Sequence, residues 1–218
     1  MTRKIKTLGV SAGGRLAGEL RKESQFCFAY DSNVNEGQCV SLTIPVRPQE
    51  YRKSVLHPVF EMNLPEGYLR QRIIERFRKH ATVDEMFFLA LQGDSSIGRL
   101  GFQSKEVERQ AVVGMSLGSL VETDNPQLFE QLVERYLGQT TIAGVQPKVL
   151  VPENTEPKSS VVLPELIVKS AGAEFPGLTI NEFVCMSIAA KAGLSVPEFY
   201  LSDDTRMFIM RRFDISES

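Results

Sequence analysis

The run Leu-Ile-Val-Lys at residues 166–169, followed by Thr-Ile-Asn-Glu at residues 179–182, decides how the second half of the chain folds. Three apolar residues before a lysine predict a short buried strand whose last side chain reaches the edge of a sheet. Thr179 and Glu182 have the spacing of a capping box, which predicts a helix from there to about Ala192. Strand and helix are thus adjacent along the chain, each carrying one charged residue.

Further strands flank this pair on both sides. Lys148–Val151 precedes it, and Pro197–Leu201 and Met207–Met210 follow it around a polar turn. The predicted order is strand, strand, helix, strand, strand. A protein-kinase small lobe needs such parts, because a strand lysine there neutralises phosphates and a helix glutamate holds that lysine.

Lys169 admits two interpretations from the residues alone. An unpaired ammonium at a buried strand end loses several kcal/mol in desolvation, so it needs an anion nearby, and Glu182 is the natural partner. Alternatively, Glu182 only completes the capping box with Thr179, and Lys169 extends its charged end into water.

The segment Thr141-Ile142-Ala143-Gly144-Val145-Gln146-Pro147-Lys148 is also open to two interpretations. Small residues at Ala143 and Gly144 let a backbone approach a phosphate, and Lys148 adds a positive charge. The segment has neither a Walker A nor a GxGxxG pattern, so a plain turn entering a strand fits it as well.

The first half of the chain predicts a small mixed domain. Strands are predicted at Thr7–Val10, Arg15–Leu20, Gln25–Tyr30, Val40–Pro45 and Gly98–Phe102, with Gly13-Gly14 as the first turn. A helix is predicted at Leu64–Lys79, with Asn63 as its N-cap. A second helix is predicted to begin at a Thr82/Glu85 capping box and to end at Gly93. A third is predicted from Asn125 to Leu137.

The expected architecture is therefore α+β, a small mixed domain followed by a mostly antiparallel sheet with one helix. We expect an N-terminal subdomain at 1–104, a connector and helix at 105–138, and the lobe at 139–218.

Composition argues against several classes of protein: those that bind nucleic acid or membranes, those that hold a metal and those built on disulfides. A net charge of -2 does not indicate a nucleic-acid or anionic-membrane surface. The cysteines (Cys27, Cys39 and Cys185) and the histidines (His57 and His80) lack metal-ligand spacing, so no metal site and no disulfide framework are predicted. The absence of a signal peptide pattern and of a long apolar run predicts a cytoplasmic protein with no membrane partner.

Several motifs occur together in the order and spacing of one family. They are IAGVQPK (142–148), LIVKS (166–170), NEFVCM (181–186), GLSVPE (193–198) and MRRFD (210–214), preceded by SLTIP (41–45), FEMNLPEGYLR (60–70) and LALQGDSSIGRL (89–100). In these motifs the chain resembles the HipA-family serine/threonine protein kinases, the toxins of type II toxin–antitoxin pairs. The resemblance extends over nearly the whole sequence.

The resemblance implies roles for individual residues. Those implied to line the nucleotide phosphates are Ala143, Gly144, Val145, Gln146, Pro147 and Lys148. Lys169 is implied to contact the α- and β-phosphates of ATP, held by Glu182. The backbone groups implied to meet the adenine belong to Arg211, Arg212 and Phe213. Thr141 aligns with the family's autophosphorylated serine. The family often has glutamate where Arg211 stands, so a side-chain contact to ribose does not carry over.

The resemblance also implies the reaction and its partners. ATP and Mg²⁺ are the expected cofactors. The catalytic and Mg²⁺-binding aspartates are expected beyond Ser218. Residues 1–218 alone are therefore expected to be inactive. A HipB-like antitoxin is the expected partner, DNA is reached only through it, and a protein substrate such as an aminoacyl-tRNA synthetase is expected.

Two other functions remain open from the sequence. The chain could be a non-catalytic protein-interaction module that binds an antitoxin or a separate kinase subunit. The arginines of the 64–79 helix could also contact nucleic acid, which strongly salt-dependent DNA binding would reveal. A catalytic loop encoded downstream would favour the kinase.

Overall fold

The computed structural model describes residues 4–93, 98–107, 113–137, 146–154, 165–172 and 175–213. Its architecture is α+β with two antiparallel sheets, which confirms the predicted fold class. The chain divides into two compact units, residues 1–109 with 138–144 and residues 110–137 with 145–218. The subdomain boundaries after residues 104 and 138 stay predictions.

The first unit contains a five-stranded sheet with the order β4-β3-β2-β1-β5. Its strands are β1 (Thr7–Ala12), β2 (Arg15–Lys22), β3 (Phe26–Tyr30), β4 (Tyr51–Lys53) and β5 (Leu100–Gln103). The β1–β2 turn is the predicted Gly13-Gly14 pair, with positive φ angles of 59° and 75°. A two-residue hairpin turn of this kind favours glycine because other residues are strained at positive φ.

The described residues of the first unit also contain the α-helices α1 (Pro58–Glu61), α2 (Gly67–Phe77) and α3 (Glu85–Gln92), and a short 3-10 helix at Glu36–Gln38. Every residue of α3 from Met86 to Gln92 is buried, which suits a helix that is apolar on all sides and packs against β5 and β1. The ring of Phe60 lies 5.3 Å from that of Phe28 and 6.4 Å from that of Phe102. These aromatic contacts join α1 to the sheet.

The strand predicted at Val40–Pro45 is wrong. Ser41 and Ile44 instead close a tight turn with a backbone hydrogen bond of 3.0 Å, and Leu42 at its tip is 97% exposed. The hydroxyl of Tyr30 donates to the Ile44 carbonyl and accepts from the Val40 N–H. Because this hydroxyl satisfies backbone groups that a sheet neighbour would otherwise bind, the apolar alternation does not become a strand.

The helix predicted from Leu64 begins later, at Gly67, with Glu66 as its N-cap. Pro65 disfavours the helical conformation in the residue before it, so Leu64 cannot join the helix. Asn63 does not cap α2, because its side-chain amide donates to the Val59 carbonyl at 2.8 Å. It therefore closes the end of α1.

The predicted Thr82/Glu85 capping box is also wrong, although the helix that it was meant to begin is present. Asp84 is the N-cap of α3, and its carboxylate accepts from the Phe87 N–H at 3.1 Å. Aspartate is a stronger N-cap than threonine, and it lies one residue before the first helical position.

The environment of His57 predicts that the stability of the first unit depends on pH. Its Nδ1 accepts from the Val59 N–H at 3.3 Å at the start of α1. Burial lowers the pKa of His57 below its ordinary 6.5, and the charge of Lys53 lowers it further. The unfolded chain therefore takes up a proton before the folded protein does, so stability falls as the pH drops through 6.5 and below.

We expect the urea midpoint to be lower near pH 5.5 than near pH 7.5, in part because of His57. A His57→Asn variant keeps a capping acceptor that does not titrate, so its midpoint should fall less over the same interval. Equal falls in the two proteins would show that His57 does not contribute.

The second unit contains a four-stranded antiparallel sheet with the order β6-β7-β9-β8. Its strands are β6 (Lys148–Pro152), β7 (Glu165–Ser170), β8 (Phe199–Leu201) and β9 (Met207–Arg211), and its helices are α4 (Leu117–Val121), α5 (Leu128–Tyr136) and α6 (Leu178–Lys191). The predicted order of strand, strand, helix, strand, strand is confirmed. Helix α5 packs against β6, and α6 packs against β7, β8 and β9.

Within the described residues, no helix combines the length and the apolar character needed to cross a bilayer. The same residues contain no cluster of three or more His, Cys, Asp or Glu side chains placed to hold a metal ion.

Candidate functional site

Lys169 and Glu182 form an ion pair between β7 and α6. The lysine follows Leu166, Ile167 and Val168, all of them buried, so its stem leaves the core of the sheet. The Lys169 and Glu182 side chains are 17% and 24% exposed, respectively. This pairing decides between the two interpretations of Lys169, because the ammonium meets a carboxylate instead of extending alone into water.

The predicted Thr179/Glu182 capping box is therefore wrong. The N-cap of α6 is Gly177, at a φ of 77°, and it provides no side-chain acceptor. The Thr179 hydroxyl is buried and donates to the Thr205 carbonyl at 2.8 Å. Thr179 thus fastens the start of α6 to the β8–β9 turn, and the Glu182 carboxylate is left to bind Lys169.

The residues just before β6 lie beside this ion pair. The side-chain amide of Gln146 donates to the second carboxylate oxygen of Glu182 at 3.5 Å, at the long end of hydrogen-bond distances. The Pro147 carbonyl accepts from the Ser170 N–H at 2.9 Å, next to Lys169. The structure therefore brings together Gln146, Pro147, Lys169 and Glu182, which the family resemblance implied to be parts of one site.

Lys148 lies directly opposite Lys169 in the β6–β7 register. Residues opposite each other in an antiparallel pair point to the same face of the sheet, where like charges repel. The two lysines thus give this face of the sheet positive charge. The Lys169 ammonium also lies 5.5 Å from the centre of the Phe208 ring, within the range of a cation–π contact.

An aromatic layer lies between α6 and the sheet on the Lys169 face. The rings of Phe183 and Phe199 are 5.5 Å apart, and those of Phe199 and Phe208 are 6.1 Å apart. This layer holds α6 against β8 and β9, so the position of Glu182 over Lys169 is set by apolar packing as well as by charge.

The end of β9 carries the residues predicted to meet an adenine. The N–H of Arg211 donates to the Glu198 carbonyl and that of Arg212 to the Glu165 carbonyl, at 2.9 and 3.0 Å. Because both amides are engaged within the fold, an adenine contact by these two residues would use their carbonyl groups. Phe213 follows them and is 69% exposed.

Both arginine side chains at this end of the sheet are paired with carboxylates. Arg211 binds Glu153 and Glu198, and Arg212 binds Glu165. Burial alone would lower the pKa of Arg211, but its hydrogen bonds with Glu198 and Glu153 outweigh that effect and raise it. These glutamate partners were not predicted, although acidic residues directly after β6, at the first position of β7 and directly before β8 were a usable signal.

The remaining predicted site residues lie outside the described part of the chain. They are Thr141, Ala143, Gly144 and Val145.

A family model described as the HipA N-terminal domain matches residues 8–103, and one described as the HipA-like C-terminal domain matches residues 140–217. A curated protein of Haemophilus influenzae, described as uncharacterized, is 29% identical over 97 residues, which cover 43% of this chain and 87% of that protein.

Two solved structures are similar to parts or all of the chain. One, described as the N-terminal domain of HipA toxin, shares 27% identity, with a TM-score of 0.36, and covers 49% of this chain and 100% of that chain. The other is the Shewanella oneidensis MR-1 toxin–antitoxin complex of HipA, HipB and its operator DNA. It shares 20% identity, with a TM-score of 0.53, and covers 97% of this chain and 51% of that chain.

The chain spans about half the length of the Shewanella protein, whose fold it shares. The two family models match one after the other, and together they account for most of the sequence. The chain belongs to the HipA family.

Proposed function

We propose that the chain provides the nucleotide-binding part of a serine/threonine protein kinase that transfers the γ-phosphate of ATP to a protein hydroxyl. The observation that carries this proposal is the Lys169–Glu182 ion pair beside residues 146–148. In protein kinases a strand lysine neutralises the α- and β-phosphates, and a helix glutamate holds that lysine in place.

The donor groups at this position suit a polyphosphate. Lys148 and Lys169 offer ammonium groups on one sheet face, and phosphate oxygens accept hydrogen bonds from such donors. An ammonium has three N–H donors, so Lys169 can bind Glu182 and still donate to phosphate. In this proposal the Mg²⁺ ligands, which must be oxygen atoms, and the catalytic aspartate lie beyond Ser218, as the family resemblance implies.

Each group has a defined task in this proposal. The ammonium of Lys169 binds the α- and β-phosphates and offsets their charge, and Glu182 fixes where that ammonium lies. Backbone and side-chain groups of residues 143–148 line the phosphates. The carbonyl groups of Arg211 and Arg212 and the backbone of Phe213 meet the adenine. A preorganised positive charge of this kind stabilises the charge that develops on the transferred phosphoryl group.

Thr141 is the proposed autophosphorylation site. A phosphate there would carry a charge of about -2, and the phosphates of ATP are negatively charged as well. It would compete with ATP for the same donors and so switch the kinase off.

The proposed partner is a HipB-like antitoxin, in keeping with the Shewanella complex of HipA, HipB and operator DNA. DNA would be contacted through that antitoxin. The substrate would be a protein, for which an aminoacyl-tRNA synthetase is one candidate.

The experiment that tests the proposal uses the complete gene product that contains residues 1–218. Incubation with Mg²⁺ and ATP labelled in the γ-phosphate should place label on serine or threonine, whereas label in the α-phosphate should not transfer. Residues 1–218 alone should transfer none. A complete gene product that binds antitoxin but neither binds ATP nor transfers label would favour the protein-interaction module instead.

A further inference from the structure

Arg211 uses three nitrogens of its guanidinium to bind two carboxylates. Nη1 and Nη2 contact the two oxygens of Glu153, the second pair at 3.1 Å, and Nε binds Glu198. The contact with Glu153 is bidentate, a two-pronged geometry that arginine forms with carboxylates better than any other cationic side chain does. We call Arg211, Glu153 and Glu198 the Arg211 cluster.

The Arg211 cluster joins the ends of three strands at one end of the second sheet. Glu153 directly follows β6, Glu198 directly precedes β8, and Arg211 is the last residue of β9. In the strand order β6-β7-β9-β8, the contact with Glu153 reaches across β7. One side chain thereby fixes the end of β9 relative to strands on both of its sides.

The Arg211 cluster is shielded from water on one side. The side chain of Glu153 is 6% exposed, and that of Arg211 is 35% exposed. Removing the guanidinium would leave a buried carboxylate without its partner, which is costly, so the end of β9 would have to move or let water in.

The Arg211 side chain does not face the candidate phosphate site. Alternation along β9 places Phe208 and Met210 on one face and Ile209 and Arg211 on the other. Phe208 lies opposite Lys169, so Arg211 points to the face away from that lysine. Its effect on a nucleotide must therefore pass through the backbone.

We propose that Arg211 is a positioning residue for adenine recognition. This inference rests on the proposed function, in which the backbone of residues 211–213 meets the adenine. The Arg211 cluster holds that backbone in place, and so a side chain that touches no nucleotide determines how tightly the adenine is bound. The phosphate contacts of Lys169 do not depend on it.

The test compares two ligands of the complete gene product. ATP uses both the adenine and the phosphate contacts, whereas inorganic tripolyphosphate uses only the phosphate contacts. In Arg211→Met we expect the KM for ATP to rise about tenfold while the inhibition constant of tripolyphosphate stays unchanged. Arg211→Lys keeps the charge but not the two-pronged contact, so its KM should lie between those of Arg211→Met and the unaltered protein.

A control variant and a charge-reversal variant complete the test. Arg206→Met removes an exposed arginine that pairs with Asp204 at 3.7 Å, and it should leave both constants unchanged. Arg211→Glu combined with Glu153→Arg reverses the pair and should recover part of the ATP affinity that Arg211→Glu alone loses.

An unchanged KM for ATP in Arg211→Met and Arg211→Lys would overturn this inference and leave the kinase proposal standing. Equal weakening of ATP and tripolyphosphate would also overturn it, because it would indicate general damage to the lobe. Failure of the unaltered protein to bind or use ATP would overturn both proposals.

Discussion

Replacing Lys169 with alanine should lower kcat/KM for phosphoryl transfer by at least about a hundredfold. The substitution removes the ammonium that we propose for the α- and β-phosphates. It also leaves Glu182, itself only 24% exposed, as a negative charge beside the bound triphosphate. Both changes disfavour a polyanion in the site. Initial rates with labelled ATP, measured on the complete gene product, give the comparison.

Lys191 provides the matched control for Lys169. It lies in the last turn of α6 and is exposed, so Lys191→Ala removes the same charge from the same lobe without touching the ion pair. Its kcat/KM should stay within about twofold of the unaltered protein. If Lys169→Ala melts at the normal temperature and keeps normal activity, the role assigned to Lys169 is wrong.

Gly18→Ala should lower the free energy of unfolding of the first unit by about 3 kcal/mol or more. Gly18 lies in β2, where a Cβ atom would come within 2.1 Å of the Ala29 carbonyl oxygen on β3. That oxygen belongs to the backbone of a central strand, so relieving the clash requires β2 and β3 to separate. Urea unfolding monitored by circular dichroism measures the loss.

Gly9→Ala is the control for Gly18→Ala. Gly9 lies in the neighbouring strand β1, where an added Cβ would meet Leu16 at 3.4 Å and Gln103 at 3.6 Å, close to ordinary contact distances. Alanine is also less disfavoured than glycine in a strand interior. The midpoint should therefore be unchanged or slightly higher. A Gly18→Ala variant as stable as Gly9→Ala would mean that β2 and β3 are not packed as described.

The sequence predicted elements well where hydrophobic period and turn residues agreed. The β1–β2 hairpin follows from alternation around Gly13-Gly14, and the strand ending at Lys169 follows from an apolar run before a charge. Helix α3 was predicted because its apolar run ends at Gly93. In each case local conformational preference and burial favour the same structure.

Helix caps were predicted less well because several polar residues compete for the same few backbone groups. Thr82 and Asp84 both precede α3, and the structure uses the aspartate. Thr179 has the correct spacing for a capping box, but a tertiary partner, the Thr205 carbonyl, takes its hydroxyl. Sequence spacing contains no information about such distant partners.

The candidate site likewise combines contacts that the sequence could indicate with contacts that it could not. From the residues alone Lys169 could pair with Glu182 or extend into water, and the family resemblance favoured the pair that the structure contains. The partners of Arg211 were not predictable in this way, because Glu153 is 58 residues distant along the chain and meets Arg211 only across the intervening strand β7.

The central claim is that the Lys169–Glu182 pair presents positive charge to a triphosphate. Calorimetric titration of the complete gene product with ATP and with adenosine tests it directly, since the two ligands differ only in the phosphates. The unaltered protein should bind ATP more tightly than adenosine, and Lys169→Ala should lose most of that difference while binding adenosine as before. The same preference for ATP in both proteins would contradict the claim.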